Sequence, residues 1–261
     1  MIETENIKTP FFSVCIETHA RGPTIYETLK SLNGQVFKDF EVIVVDNKST
    51  DETLDQILMA MLDFPNLHIL LGIIREHLGG VKSWNEALKL ARGKYIVMFE
   101  GDDRMNEDHL LNAHKFLVMN DNIGVYFLGK RYHIYNDMEF FDHIYSMSGC
   151  PAPSQSIFIR IDKNGEQILF DDENYEYAPE MDLFIRIALN GYHAYEVPLK
   201  TVIRRPSIGY KTLPNYFHDS YIVNARYSLV ASMKKANIVY MNILMKDIIM
   251  KVRLLCKNLL R

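Results

Sequence analysis

Cysteine is scarce in this chain of 261 residues: there are three, Cys15, Cys150 and Cys256, far apart and odd in number. That excludes a disulfide framework and a CxxC metal pair, and it fits reduced thiols in a cytoplasmic protein. Long apolar runs are missing too. No stretch nears the ~18 residues that a membrane-spanning helix requires. The longest, LHILLGII at 67–74, has the length of a buried strand. The opening MIETENIKTP has no apolar centre and does not read as a signal peptide. An excess of positive charge is also lacking: the formal net charge of −4 argues against nucleic acid as a partner. The common catalytic and phosphate-binding signatures are absent. There is no G-x-G-x-x-G after a strand, no G-x-x-x-x-G-K-[ST], no HExxH or zinc-spaced histidines, and no G-x-S-x-G.

What is present is an alternation. Apolar residues make up 48% and charged residues 24%, the balance of a globular domain. FSVCIE (12–17), EVIVV (41–45), LHILL (67–71) and YIVMF (95–99) have strand length. Between them lie segments of helical period. Ile25, Leu29, Leu32 and Val36 share one face, Leu54, Ile57, Leu58 and Met61 another, and Trp84, Leu88 and Ala91 a third that Gly93 ends. Thr24 with Glu27, and Ser49 with Glu52, have capping-box spacing. Residues 106–119 read as a further helix. Strands apolar on both faces, alternating with helices, imply a parallel sheet covered on both sides. The second half is less regular. IFIRI (157–161) and AYEV (194–197) read as strands. Met181, Phe184, Ile187 and Ala188 mark a helix ending at Gly191, and helix is expected from Tyr216 onward.

In such sheets ligands bind beyond the carboxyl ends of the strands. Here those ends carry Glu17-Thr18-His19, Asp46-Asn47 and Glu100-Gly101-Asp102-Asp103. Three carboxylates within four residues repel one another, so a cation is expected to offset them. Mg²⁺ or Mn²⁺ accepts one or two carboxylates and keeps positions for phosphate oxygens. An exposed acidic turn that caps the next helix is the plainer alternative, and a helix N-cap is the plainer alternative for Asp46. Trp84, on an apolar helix face, reads as core rather than as a sugar platform.

SVCIETHAR…LKSLNGQVFKDFEVIVVDNKSTDET, EHLGGVKSWNEALKLARGKYIVMFEGDD and FDD…APEMDLFIRIALNGY resemble, in order and spacing over about residues 12–205, the motifs of family 2 glycosyltransferases. The resemblance implies a GT-A fold, a Rossmann-like mixed α/β sheet flanked by helices. It also implies inverting transfer of a sugar from a nucleotide-diphosphate donor, UDP-linked by expectation, with Mn²⁺ or Mg²⁺ as cofactor. By the same resemblance Thr18 and Asp46 face the donor's base and ribose, with Asn47 in place of a second Asp. Glu100 faces ribose or metal, Asp102 holds the cation that bridges the diphosphate, and Asp103 belongs to the donor site. Glu180 takes the place of the general base, with Asp182 as its rival; i and i+2 on a helix do not share a face, so only one should serve. Arg204 and Arg205 would grip the diphosphate or be ordinary surface arginines, and Pro206 departs from the family's His. Asp→Glu at 100 is another departure.

The expected organisation is a GT-A domain over 1–215 (donor half about 10–125, acceptor half about 126–215) and a helical extension over 216–261. In KDIIMKVRLLCKNLLR (246–261), Ile248, Val252, Leu255 and Leu259 form an apolar stripe with Lys246, Arg253, Lys257 and Arg261 opposite. Such a helix suits peripheral contact with the inner face of the plasma membrane, packing on the domain, or a homodimer. The expected partners are a nucleotide sugar and a glycan or lipid-linked acceptor, in surface polysaccharide biosynthesis. Two other classes compete: a non-catalytic sugar-nucleotide-binding subunit of a glycan assembly complex, and a nucleotidyltransferase. The latter needs a glycine-rich phosphate loop that THARGPT (18–24) does not supply.

Overall fold

The computed structural model describes residues 9–147, 157–160, 169–173, 179–203, 223, 227 and 228. The first half alternates as the periodicity requires: β1 (Phe12–Thr18), α1 (Gly22–Asn33), β2 (Phe40–Asp46), α2 (Thr53–Asp63), β3 (Ile69–Ile73), α3 (Gly80–Leu90) and β4 (Tyr95–Glu100). Then come β5 (Arg104–Met105), α4 (His109–Leu117), β6 (Ile123–Leu128), β7 (His133–Tyr135), α5 (Asp137–Met147), β8 (Ile157–Arg160), α6 (Pro179–Leu189), β9 (His193–Val197) and β10 (Val202–Ile203).

The main sheet has the order β3-β2-β1-β4-β8-β6-β9-β7. Strands β3, β2, β1 and β4 are parallel, as expected. Beyond them the sheet is mixed, as the family resemblance implies, although the βα alternation of the first half points only to parallel pairing. β8 runs antiparallel to both β4 and β6, and β7 runs antiparallel to β9. The reason is local: β8 carries no long alternation signal and closes the gap between two parallel blocks. Because β8 is antiparallel to both neighbours, β6 points the same way as β4, and β9, parallel to β6, does too.

The core lies in two layers. Val14, Ile16, Val42, Val44, Val97 and Phe99 pack with Ile25, Leu29, Ile57 and Leu110 from α1, α2 and α4. Cys15, Ile43, Val45, Ile96 and Met98 pack on the other face with Leu88, Phe140, Phe184 and Ile187 from α3, α5 and α6. Period-2 alternation of wholly apolar strands is what fills both faces. Trp84 is partly buried against the second layer, as read. Val223 and Tyr227, beyond the expected domain boundary, are also buried in that layer. Burial pushes the Cys15 thiol far above its ordinary range, so it is an inert core residue.

The helix ends differ from what spacing along the chain predicts. Neither capping box forms: the N-caps of α1 and α2 are Arg21 and Glu52, without side-chain caps. Pro23 in the first turn of α1 starts that helix instead. Val36 lies past the end of α1 and is exposed. The buried face of α2 is Thr53, Ile57 and Ala60, with Leu58 and Leu62 facing outward. Gly93 does not cap α3. A Cβ there would lie 2.5 Å from Ser13 N, so glycine is needed for the close approach to β1. Among the described residues no helix is long and apolar enough to cross a membrane.

Candidate functional site

The parallel register brings the carboxyl ends of three strands side by side. Thr18 of β1 is paired with Asp46 of β2, and Glu17 with Glu100 of β4. The turn after β4 carries Gly101, Asp102 and Asp103. Carboxylate oxygens of Glu100, Asp102 and Asp103 all lie within 4.8 Å of one another, and Asp103 is buried. This is not an exposed acidic cap: Asp102 keeps only 19% of its side-chain exposure.

Two oxygens here stand out. Thr18 Oγ1 and Asp46 Oδ1 are buried and have no hydrogen-bond partner among the described residues. An unsatisfied buried polar atom costs about 1–3 kcal/mol, so its persistence asks for a ligand. Asp46 is not the N-cap of α2. Its Oδ2 accepts from Ser49 N at 3.1 Å, which leaves Oδ1 open.

The loops around this edge are tied by side chains. Asp51 accepts from Gly22 N (3.1 Å) and from Thr53 Oγ1 (2.5 Å), and Thr53 hydrogen bonding holds its carboxyl below the ordinary range. Arg21 N donates to Thr53 Oγ1 (2.8 Å), and Ala20 N to Ser49 Oγ (2.9 Å). Ala20 and Lys48 accept positive φ of 52° and 59°, a strained arrangement that these bonds hold in place. Thr24 Oγ1 donates to Gly101 O (2.9 Å), which stitches α1 to the acidic turn. A Cβ on Gly101 would come to 3.0 Å from Thr18 Oγ1.

Asn47 explains its own departure from the family pattern. Its Oδ1 accepts from Leu78 N (3.0 Å), and its Nδ2 reaches Glu17 Oε1 and Gly79 O, each at 3.4 Å. An aspartate could not donate those bonds. Its carbonyl lies 2.9 Å from His19 Nδ1 and 3.2 Å from His77 Nδ1, so both imidazoles donate to it. Burial raises the Glu17 carboxyl pKa, and bonding to Asn47 partly opposes this.

Glu180 and Asp182 sit in the first turn of α6. The short turn through Gly191 joins α6 to β9, so α6 starts at the edge where β4 ends. Asp182 is fully buried, accepting from Arg186 Nε (2.7 Å) and Tyr227 Oη (2.7 Å). Glu180 is partly exposed. Arg204, Arg205 and the 246–261 helix lie outside the described residues.

Three contributors were not picked out from the sequence. Arg21 Nε lies 3.5 Å from Asp102 Oδ2, a cation already on the acidic turn. It closes the motif SVCIETHAR, which was the available signal. Asn85, buried in α3, exchanges two bonds with the backbone of Phe170 (3.0 and 2.9 Å) and pins the FDD segment. It too stands inside a quoted motif. Asp51 likewise stands inside a quoted motif, VVDNKSTDET.

The model of the family described as Glycosyl transferase family 2 matches residues 13–176. Erwinia amylovora amylovoran biosynthesis glycosyltransferase AmsB is 33% identical over 99 residues, 38% of this chain and 33% of that protein. Staphylococcus aureus poly(ribitol-phosphate) beta-N-acetylglucosaminyltransferase TarS is 38% identical over 109 residues, 41% of this chain and 18% of that one. The chain thus spans about a third of the first of these relatives and under a fifth of the second. Among solved structures, S. aureus TarS with UDP-GlcNAc superposes with a TM-score of 0.64 at 22% identity, covering 81% of this chain and 65% of that one. A Pyrobaculum calidifontis mannosyltransferase with GDP-Man and Mn²⁺ gives 0.61 at 24%, covering 78% and 59%. These likenesses show the fold, which is the GT-A arrangement.

Proposed function

This chain belongs to glycosyl transferase family 2, and from that premise we propose that it transfers a sugar from a nucleotide-diphosphate donor, UDP-linked, to a hydroxyl of a glycan or lipid-linked acceptor with inversion. The observation that carries this reading is the strand-end edge itself. Two unpartnered buried oxygens, Thr18 Oγ1 and Asp46 Oδ1, adjoin a three-carboxylate turn. The oxygens suit a donor's base and ribose, since a carboxylate accepts a pyrimidine N–H in a charge-assisted bond.

The acidic turn suits a hard divalent cation, Mn²⁺ or Mg²⁺. Asp102 and Glu100 would hold it, with Asp103 buried behind them. When bound, such an ion neutralises the charge that builds on the leaving diphosphate. Arg204 and Arg205 remain the proposed further contacts to that diphosphate.

Glu180 is the proposed base. It would take the proton from the acceptor hydroxyl as that oxygen attacks the anomeric carbon. Asp182 suits the task poorly. Its carboxylate is sealed from solvent and engaged by Arg186 and Tyr227, so it orients the start of α6. The relatives act in amylovoran biosynthesis and on poly(ribitol-phosphate), by their names, which favours a surface polymer as product. The amphipathic helix expected over 246–261 is proposed to bring the domain to a membrane-bound acceptor.

The test separates base from scaffold. Glu180→Gln should lower transfer by about 10²–10⁴ while UDP still binds. Asp182→Asn should instead lower stability by about 1–3 kcal/mol. If Asp182→Asn abolishes transfer in a protein of unchanged stability, the assignment is reversed. A wild-type chain that binds UDP yet neither transfers nor hydrolyses any sugar nucleotide would be a binding subunit.

A further inference from the structure

The acidic turn already has a cation. Arg21 Nε lies 3.5 Å from Asp102 Oδ2. The contact is held by backbone, not by the guanidinium itself. Arg21 N is fixed by Thr53 Oγ1, Gly22 N by Asp51, and Gly101 O by Thr24 Oγ1. These bonds place the root of the Arg21 side chain against the turn: a Cβ on Gly101 would lie 3.4 Å from Arg21 Cγ. The guanidinium contact to Asp102 is long, its charge also acts on the nearby Glu17 carboxylate, and its side chain keeps 39% of its exposure. Such a pair is weak and readily displaced. A divalent ion at Asp102 would meet this positive charge within a few ångströms, and the two compete for one carboxylate.

We propose that Arg21 is a resident counter-ion of Asp102 in the donor-free protein, and that it passes from Asp102 to the donor's diphosphate when the metal arrives. The inference rests on the metal-and-donor reading above. Three carboxylates without any cation repel one another. Arg21 relieves that repulsion in the free state and makes metal binding without donor unfavourable. Once a divalent ion takes Asp102, the guanidinium is repelled from it. The nearest new anion is the diphosphate the ion brings. Arg21 is therefore a positioning residue that couples metal binding to donor binding: each ligand binds better when the other is present. The unpartnered Thr18 Oγ1, beside Gly101, marks the same edge as a ligand site independently of the carboxylates.

The experiment uses the full chain and Mn²⁺ alone, followed by electron paramagnetic resonance of the free ion, then UDP titrated at saturating Mn²⁺. Arg21→Gln should bind Mn²⁺ alone roughly 3- to 10-fold more tightly than wild type, because a charge close to the ion is gone. It should bind UDP about tenfold more weakly at saturating Mn²⁺, having lost one charge-assisted contact. Arg21→Lys should restore the wild-type Mn²⁺ affinity in large part. A gain of metal affinity is something mere structural damage does not produce. If Arg21→Gln leaves Mn²⁺ affinity unchanged or weaker while wild type still binds UDP with Mn²⁺, the counter-ion role is wrong and the donor site stands. If wild type binds neither, both fall together.

Discussion

The two ends of β1, β2 and β4 are built on opposite plans. At their amino ends, Ser13 Oγ donates to Glu41 Oε1 (2.7 Å), and Arg92 answers with its backbone N–H (2.9 Å) and its guanidinium (2.6 Å). Gly93 N donates to Ser13 Oγ at 2.8 Å. Buried polar groups there have partners. At the carboxyl ends, six residues from Thr18 and Asp46 to Asp103, the same sheet leaves Thr18 Oγ1 and Asp46 Oδ1 open and gathers three carboxylates. One end is a clamp and the other is a socket. The difference teaches where free energy has been spent on stability and where it has been withheld for a ligand.

Substitutions should break this contrast in opposite directions. Asp102→Asn has the largest expected effect. Mn²⁺-dependent UDP affinity should fall about 100-fold or more, with the melting temperature of the free protein nearly unchanged; isothermal titration and a thermal scan read the two. At the other end, Glu41→Gln should cost about 2 kcal/mol of stability, since it weakens a buried charge-assisted network. It should leave the UDP affinity of the folded protein within about twofold. Urea denaturation and titration give both numbers.

A smaller effect concerns acid. His109, at the start of α4, is buried, with Nδ1 on Thr201 Oγ1 (2.6 Å) and Nε2 unpartnered. Burial pushes its pKa from 6.5 down to about 4. Between those values the unfolded chain holds a proton that the folded one does not. Stability from this group is therefore present above pH 6.5 and is lost as pH falls toward 4. From pH 7 to pH 5 the loss should be about 2 kcal/mol. His109→Gln should flatten that slope, as followed by urea midpoints across pH.

Much of the socket could be read in advance because its parts sit at strand ends, and strand ends are where an apolar run stops. Glu100, Asp102 and Asp103 announce themselves that way, as does Asp46. The parallel block was legible because β1 to β4 are apolar on both faces. What could not be read was long-range pairing. β8 has four residues in regular structure and no local feature saying that it runs antiparallel between β4 and β6. The capping boxes failed because Thr24 and Ser49 spend their hydroxyls on tertiary partners, Gly101 O and Ala20 N, which spacing along the chain cannot reveal. The Leu58 face of α2 misled because apolar side chains also point outward from it. Arg21 closes the motif SVCIETHAR, but its role comes from Asp102, far along the chain, which the motif alone does not reveal.

The central claim is that the carboxyl-end socket takes a nucleotide diphosphate through a divalent cation. Thermal shift of the full chain with UDP, dTDP and GDP, each with and without Mn²⁺, tests it most directly. Binding stabilises by RT ln(1 + [L]/Kd), about 2.7 kcal/mol at a hundredfold excess over Kd. The account predicts a clear upward shift with UDP and Mn²⁺ together, far smaller with either alone, and abolished in Asp102→Asn. No metal-dependent shift with any of the three nucleotides would contradict it.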